Sequence, residues 1–204
     1  MLMKLKDLKE KFDMGVRGVI HVGGHIGEEA AVYNELGLKE CVFFEPSRKT
    51  FEVCRKNVQK FGYDCHNYAL GPRSQESEMY VASNCQSSSL LKPKLHLKQY
   101  RRIKFRETEV VNVVTLDEFM KRYSGCDFNF INMDVQGYEL QVLMGAIKTI
   151  DFIDYIYCEV NRAELYEGCA MVEHIDDFLN GFDFSRVATN WRGRTWGDAL
   201  YIRS

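Results

Sequence analysis

Four places in the 204-residue sequence put glycines or polar side chains where an apolar, β-rich run ends. The first is Val19-Ile20-His21-Val22-Gly23-Gly24-His25-Ile26-Gly27, which runs into a stretch with helical character. Glycines at such a turn let the backbone reverse sharply and let a ligand come closer than a side chain would permit. The same glycines also suit a plain strand-to-helix turn. The second place is Phe43-Phe44-Glu45-Pro46, where Glu45 follows the turn by about 20 residues, a separation at which an acid can bond both ribose hydroxyls of a nucleoside. The third is Phe130-Ile131-Asn132-Met133-Asp134-Val135-Gln136-Gly137-Tyr138-Glu139, and the fourth is Glu159-Val160-Asn161 after Tyr155-Ile156-Tyr157-Cys158.

Three acid-bearing strand ends converge on one crevice if the sheet is open and parallel. No lysine or arginine stands in the glycine turn, so the turn is poorly equipped for a pyrophosphate. The adenosyl half of S-adenosylmethionine carries no phosphate, and this methyl donor fits the pattern better than NAD. Methyl transfer to an alcohol requires alignment of the two reactants and removal of the hydroxyl proton. Asp134 is the first candidate base and Glu159 the second. Glu139 serves equally well as an acid at a helix start. His21 and His25 flank the turn and are read as local hydrogen-bonding groups. Gln136, Glu139 and Asn161 stand on the acceptor side. Trp191 and Trp196, in Thr189-Asn190-Trp191-Arg192-Gly193-Arg194-Thr195-Trp196-Gly197-Asp198, offer flat faces for a sugar or ordinary packing. The acids lack a matched ligand spacing, and no metal is assigned.

The elements that must hold these groups alternate between strand-like and helix-like runs, the mark of an α/β fold with a parallel sheet covered by helices. Strands are expected at 16–22, 41–44, 63–70, 128–133, 153–159, 182–188 and 199–202. Helices are expected at 27–36, at 47–60 with Ser47 as its cap, at 116–123, at 138–150 and at 171–180. Extra strands at 77–82 and 107–114 flank a polar loop around Ser87-Ser88-Ser89. Residues 1–15 form a helical extension, with Leu2, Leu5, Leu8 and Phe12 at helical spacing, packed on the domain edge. Three prolines leave no candidate linker, so residues 1–204 are expected to form one domain.

Composition narrows the partners. A hydrophobic fraction of 46% and a charged fraction of 27% are those of a globular protein. The formal net charge of -2, from 27 basic and 29 acidic residues, gives no field for holding nucleic acid. The basic run from Lys92 to Arg106 reads first as a solvated face and second as an anion-contacting loop. Seven cysteines without a C-x-x-C pair argue against a disulfide framework and for a reducing compartment such as the cytoplasm. No apolar run reaches membrane-spanning length, so no stable membrane insertion is expected.

Taken together, the glycine turn, Phe44-Glu45-Pro46 and Met133-Asp134-Val135-Gln136-Gly137-Tyr138-Glu139-Leu140, followed by Val142-Leu143-Met144-Gly145-Ala146, resemble the FkbM family of methyltransferases over roughly Val19 to Glu159. Asn67-Tyr68-Ala69-Leu70-Gly71, Ser88-Ser89-Leu90 and Val114-Thr115-Leu116-Asp117 belong to the same resemblance. It implies a Rossmann-like class I methyltransferase fold, mostly parallel, with helices on both faces and an antiparallel C-terminal strand. It also implies O-methylation from S-adenosylmethionine, which leaves as S-adenosylhomocysteine, with a sugar or glycan acceptor, for instance a deoxyhexose, or a polyketide hydroxyl. On that basis Gly23, Gly24 and Gly27 cradle the donor with His21, His25 and Ile26 beside them. Glu45 and Pro46 hold its ribose, Tyr68 and Ala69 border the adenine, and Asp134 faces the methyl group. His21 stands where the family usually has aspartate, and Gln136 where it often has glutamate. Such chains also occur fused to, or associated with, glycosyltransferases. The competing expectations are a methyltransferase for a nonsugar hydroxyl and a noncatalytic nucleoside-binding module.

Overall fold

A computed structural model describes residues 1–204. Its first half runs α1 (Leu5–Phe12), β1 (Gly18–Val22), α2 (Ala30–Glu35), β2 (Glu40–Phe44), α3 (Arg48–Val58), β3 (Asp64–His66), β4 (Ala69–Leu70), β5 (Gln75–Ala82) and α4 (Leu95–Gln99). There follow β6 (Phe105–Val114), α5 (Leu116–Phe119), β7 (Phe130–Met133), α6 (Glu139–Met144), α7 (Ile147–Ile150), β8 (Tyr155–Asn161), α8 (Val172–Asn180), β9 (Phe184–Arg192) and β10 (Trp196–Arg203). Seven strands form the main sheet in the order β3-β2-β1-β7-β8-β10-β9. The first five are parallel, and β10 runs antiparallel to both of its neighbours. Every residue of β1 and β7 is buried, as expected for parallel strands covered on both faces.

Alternation along each strand divides the core into two layers. Val19, Phe43, Phe130 and Tyr157 pack with Leu5 and Leu8 of α1, Tyr33 of α2 and Cys54 and Val58 of α3. Ile20, Phe44, Ile131 and Ile156 pack on the other face with Leu116, Val142, Ile150, Ile175 and Leu179 from α5 to α8. Five cysteines, Cys41, Cys54, Cys65, Cys158 and Cys169, are buried as free thiols. The chain moves outward from β1 through β2 to β3 and then returns on the other side of β1 as β7. The strand order therefore reverses between β1 and β7, and the crevice of an open α/β sheet opens there, at the carboxyl ends of both strands.

Several elements differ from the sequence expectations for local reasons. The run 63–70 divides into β3 and β4, which belong to different sheets; β4 joins β5 and β6 in a three-stranded sheet. Asn67, at the break, donates its amide to the carbonyls of Glu45 and Pro46 at 3.0 and 2.7 Å. The expected helix 138–150 breaks at Gly145, where an added Cβ would lie 2.0 Å from the Gly71 carbonyl oxygen. Asp117 then caps the second piece by accepting the backbone N–H groups of Lys148 and Thr149. The helix expected from residue 27 starts at Ala30, because residues 24–29 form the turn itself. Ser47 stands at the N-cap of α3, but its side chain makes no capping bond. Residues 189–198, which the sequence leaves between the strands expected at 182–188 and 199–202, complete a β-hairpin, with Trp191 in β9 and Trp196 in β10. Helix α4 has no counterpart in the sequence reading.

Candidate active site

The glycine turn is built by the tips of three strands. Gly23 and Gly24 both donate their N–H to the Phe44 carbonyl, at 3.0 and 2.9 Å, and Asp134 donates its N–H to the Val22 carbonyl at 3.0 Å. Gly23 has φ +83°, and an added Cβ would meet the Asp134 carbonyl oxygen at 2.0 Å. Only glycine permits this approach of β1 to β7. Gly23→Ala should therefore cost about 3 kcal/mol or more, from left-handed strain plus overpacking. Urea unfolding measures it, and a variant as stable as the native chain would contradict the described turn.

Glu45 leaves the end of β2 into the same region. Its carboxylate is 7% exposed and accepts N–H bonds from His25 and Ser47, both at 2.9 Å. Burial raises its pKa to about 7, opposed by those two backbone donors. Each oxygen has one protein donor and retains acceptor capacity. A cavity of about 60 Å³ is lined by Gly23, Glu45, Pro46, Tyr68, Ala69 and Leu90 among others, with no lysine or arginine in its wall. Those residues fit a nucleoside without phosphate. Gly24 and Gly27 lie outside it, packed on Cys54 and Val58. Ile26 also lies outside, with its carbonyl accepting the Asn57 amide at 2.8 Å.

A second cavity, of about 390 Å³, adjoins the first; Gly23, His25, Gln86 and Asp134 line both. Asp134 is open to these cavities while the surrounding protein encloses it. That desolvation raises its pKa to about 6, against a 2.6 Å hydrogen bond donated by Gln136 Nε2. Gln136 Nε2 also donates to Glu159 at 3.1 Å, and Tyr166 and Gln136 Oε1 lie 2.9 Å apart. Burial, then the charges of Asp134 and Glu139, push the Glu159 carboxyl well above the usual range. Two carboxyl groups sharing one amide do not ionise together easily, so their titrations separate. Of the two, Glu159 is the more enclosed and holds its proton more strongly than an ordinary carboxyl, and Asp134 faces the cavities.

The remaining predicted groups divide. His21 lines the larger cavity but is spent within the wall, stacked on Phe43 at 4.8 Å with Nδ1 2.8 Å from the Tyr33 hydroxyl. Burial lowers its pKa and keeps it neutral. His25 lines both cavities, and its hydrogen bond to Glu28 raises its pKa. Trp196 lines the larger cavity and donates Nε1–H to the Tyr100 hydroxyl at 2.7 Å.

Three groups expected on the acceptor side lie outside both cavities. Glu139 is 1% exposed and lines neither cavity; it accepts the N–H groups of Val135 and Gly137 and shapes the loop after β7. Trp191 also lies outside, covered by the Arg162 guanidinium at 3.5 Å. Asn161 is fully buried beyond the cavity wall, where β8 bridges to Met171.

Tyr157, Asp198, His96 and Tyr100 line the larger cavity without having been singled out in the sequence. A signal existed for three of them. His96 and Tyr100 are four residues apart, and Asp198 lies two beyond Trp196 in a strand, which places each pair on one face.

The Methyltransferase FkbM domain family matches residues 21–186. The 2-O-methyltransferase NoeI of Sinorhizobium fredii is 28% identical over 191 residues, covering 89% of this chain and 77% of that protein. Magnesium protoporphyrin IX methyltransferase from Synechocystis PCC 6803, solved with bound SAM, superposes with a TM-score of 0.53 at 10% identity, over 95% of this chain and 74% of that one. TrmK of M. capricolum, solved with S-adenosylhomocysteine, gives 0.55 at 9% identity, over 100% and 70%. At such identities the two structures show a shared fold.

Proposed function

Because the chain belongs to the FkbM methyltransferase family, we propose that it transfers a methyl group from S-adenosylmethionine to a hydroxyl oxygen of a sugar. One observation carries this reading: a small cavity suited to a nucleoside and a larger polar cavity share a wall at Gly23 and Asp134. The sulfur end of a donor held by Glu45 would lie at that wall. S-adenosylmethionine, when bound, supplies an electrophilic methyl carbon on a sulfonium.

Asp134 would take the hydroxyl proton as the acceptor oxygen bonded to that carbon and displaced the sulfur with its electron pair. Gln136 holds Asp134 in place, and Tyr166 steadies the amide of Gln136. Gln136 also donates to Glu159, so one amide holds both carboxyl groups in place.

A sugar acceptor is supported by the polar wall of the larger cavity, with Asn84, Gln86, Ser87 and Asn132 beside the carboxyl groups. A phenol would need a narrow, apolar slot. The name of the related NoeI, a 2-O-methyltransferase, agrees with oxygen as the atom modified. The buried free thiols fit a reducing compartment such as the cytoplasm.

The test is incubation with S-adenosylmethionine and separate panels of deoxyhexose-bearing glycans and phenolic metabolites, read by mass spectrometry. Addition of one methyl group to a glycan, with stoichiometric S-adenosylhomocysteine, is the expected result. Methylated phenols alongside unmodified glycans would contradict it.

A further inference from the structure

The basic run between Lys92 and Arg106 contains seven lysines and arginines and no acid. It is part of the cavity. His96, Tyr100 and Ile103 line the larger cavity, and the Tyr100 hydroxyl accepts the indole N–H of Trp196, another lining residue. The cations in this segment do two different things. Lys92 and Lys94 pair with Glu167 and Glu164, and backbone bonds from Lys94 to Leu165 and from Glu167 to Lys92 fasten the segment to the body. Lys98, Arg101, Arg102, Lys104 and Arg106 are exposed and have no carboxylate partner. Arg101 and Arg102 are exposed and lie in the chain between Tyr100 and Ile103, both of which line the cavity. Arg192, at the end of β9, adds a further exposed cation to the cavity wall.

The interior carries more acid than base: Glu28, Glu29, Asp134 and Asp198 stand in the wall, against the Met1 ammonium, which pairs with Glu29 at 3.6 Å. An anionic group would be repelled from the floor and attracted to the rim. A neutral polyol would meet neither penalty at the floor. A ligand that satisfies both ends has a neutral sugar at its tip and a phosphate behind it.

We propose that residues 98–106 form an anion-binding rim that holds a phosphate group of the acceptor while its neutral sugar reaches Asp134. This rests on the sugar methyltransferase reading and adds to it the acceptor class: a sugar on a phosphate-bearing carrier. The phosphate can belong to a soluble sugar phosphate or nucleotide, or to the headgroups of an anionic lipid surface.

The test compares the native chain with the triple variant Arg101→Ser, Arg102→Ser, Lys104→Ser. A control variant, Lys4→Ser, Lys6→Ser, Lys49→Ser, loses the same charge from exposed positions elsewhere. Inorganic pyrophosphate is titrated calorimetrically, and phosphatidylcholine vesicles with and without phosphatidylglycerol are used in sedimentation. Each rim cation contributes roughly fivefold on an anionic surface, so the rim variant should lose about a hundredfold in vesicle affinity, or about tenfold or more for pyrophosphate. The control should lose little.

Rim-dependent pyrophosphate binding identifies a soluble carrier, and rim-dependent binding to anionic vesicles alone identifies lipid headgroups; either supports the proposal. Equal binding by the native chain and rim variant, or binding of neither probe, overturns it. So does binding of oligouridylate with neither pyrophosphate nor vesicles. S-adenosylhomocysteine affinity is measured on all three proteins. If the native chain fails to bind it, the methyltransferase reading falls while the anion arms still decide the rim; if only the rim variant fails, its fold is damaged and the double variant Arg101→Ser, Arg102→Ser replaces it.

Discussion

Asp134→Asn leaves S-adenosylhomocysteine affinity within about threefold and lowers turnover by about 10²–10⁴-fold, the usual contribution of a positioned general base. Asparagine keeps an oxygen where Gln136 Nε2 donates, so the loop after β7 retains its shape. S-adenosylhomocysteine is the right ligand for the comparison, because it lacks the sulfonium charge that Asp134 would face. The pH profile adds a second readout. Enclosure raises the Asp134 pKa to about 6, and only the ionised form accepts a proton. Turnover at saturating donor should therefore rise with pH and level off above about 6; a bound sulfonium favours the ionised form and shifts the limb lower. In Asp134→Asn that limb disappears. Undiminished methylation by this variant would move the base elsewhere, with Glu159 next in line.

Glu45→Ala weakens donor binding by at least about a hundredfold, since it removes a charged acceptor from two ribose hydroxyls and each such bond contributes about 1.5–3 kcal/mol. Alanine also strands the N–H groups of His25 and Ser47, so Glu45→Gln is the companion variant; it retains one acceptor oxygen and should recover part of the loss. Because burial lifts the Glu45 pKa to about 7, native affinity for S-adenosylhomocysteine should increase as pH rises toward 7 and then level off. By linkage, binding near neutral pH releases a proton. Calorimetry in buffers of different ionisation enthalpy measures that release. Equal affinity in the native chain and Glu45→Ala would remove Glu45 from the donor site.

What could be read from the residues was the part dictated by local chemistry. Gly23 must adopt a positive φ against the Asp134 backbone, and Glu45 must end a buried strand, so both left clear marks in the sequence. Buried parallel strands such as β1 and β7 also declare themselves as unbroken apolar runs. The features that were missed depend on distant packing. Glu139 and Asn161 stand near the correct strand ends, but one is consumed by the N–H groups of its own loop and the other lies under the chain returning at Met171. Trp191 and Trp196 sit in what reads as a polar loop, because β9 is the sheet edge and carries solvated residues. Helix α4 is five residues long and embedded in lysines, so the cavity-lining His96 within it and Tyr100 just after it look like part of a charged surface.

One ligand is expected to span the two adjoining cavities, with its nucleoside on Glu45 and its sulfur at the wall shared by Gly23 and Asp134. A crystal structure with S-adenosylhomocysteine measures this directly. The account predicts both ribose hydroxyls within hydrogen-bond distance of the Glu45 carboxylate and the sulfur beside Asp134, facing the larger cavity. A nucleoside seated away from Glu45, or a sulfur pointing away from Asp134, would contradict it.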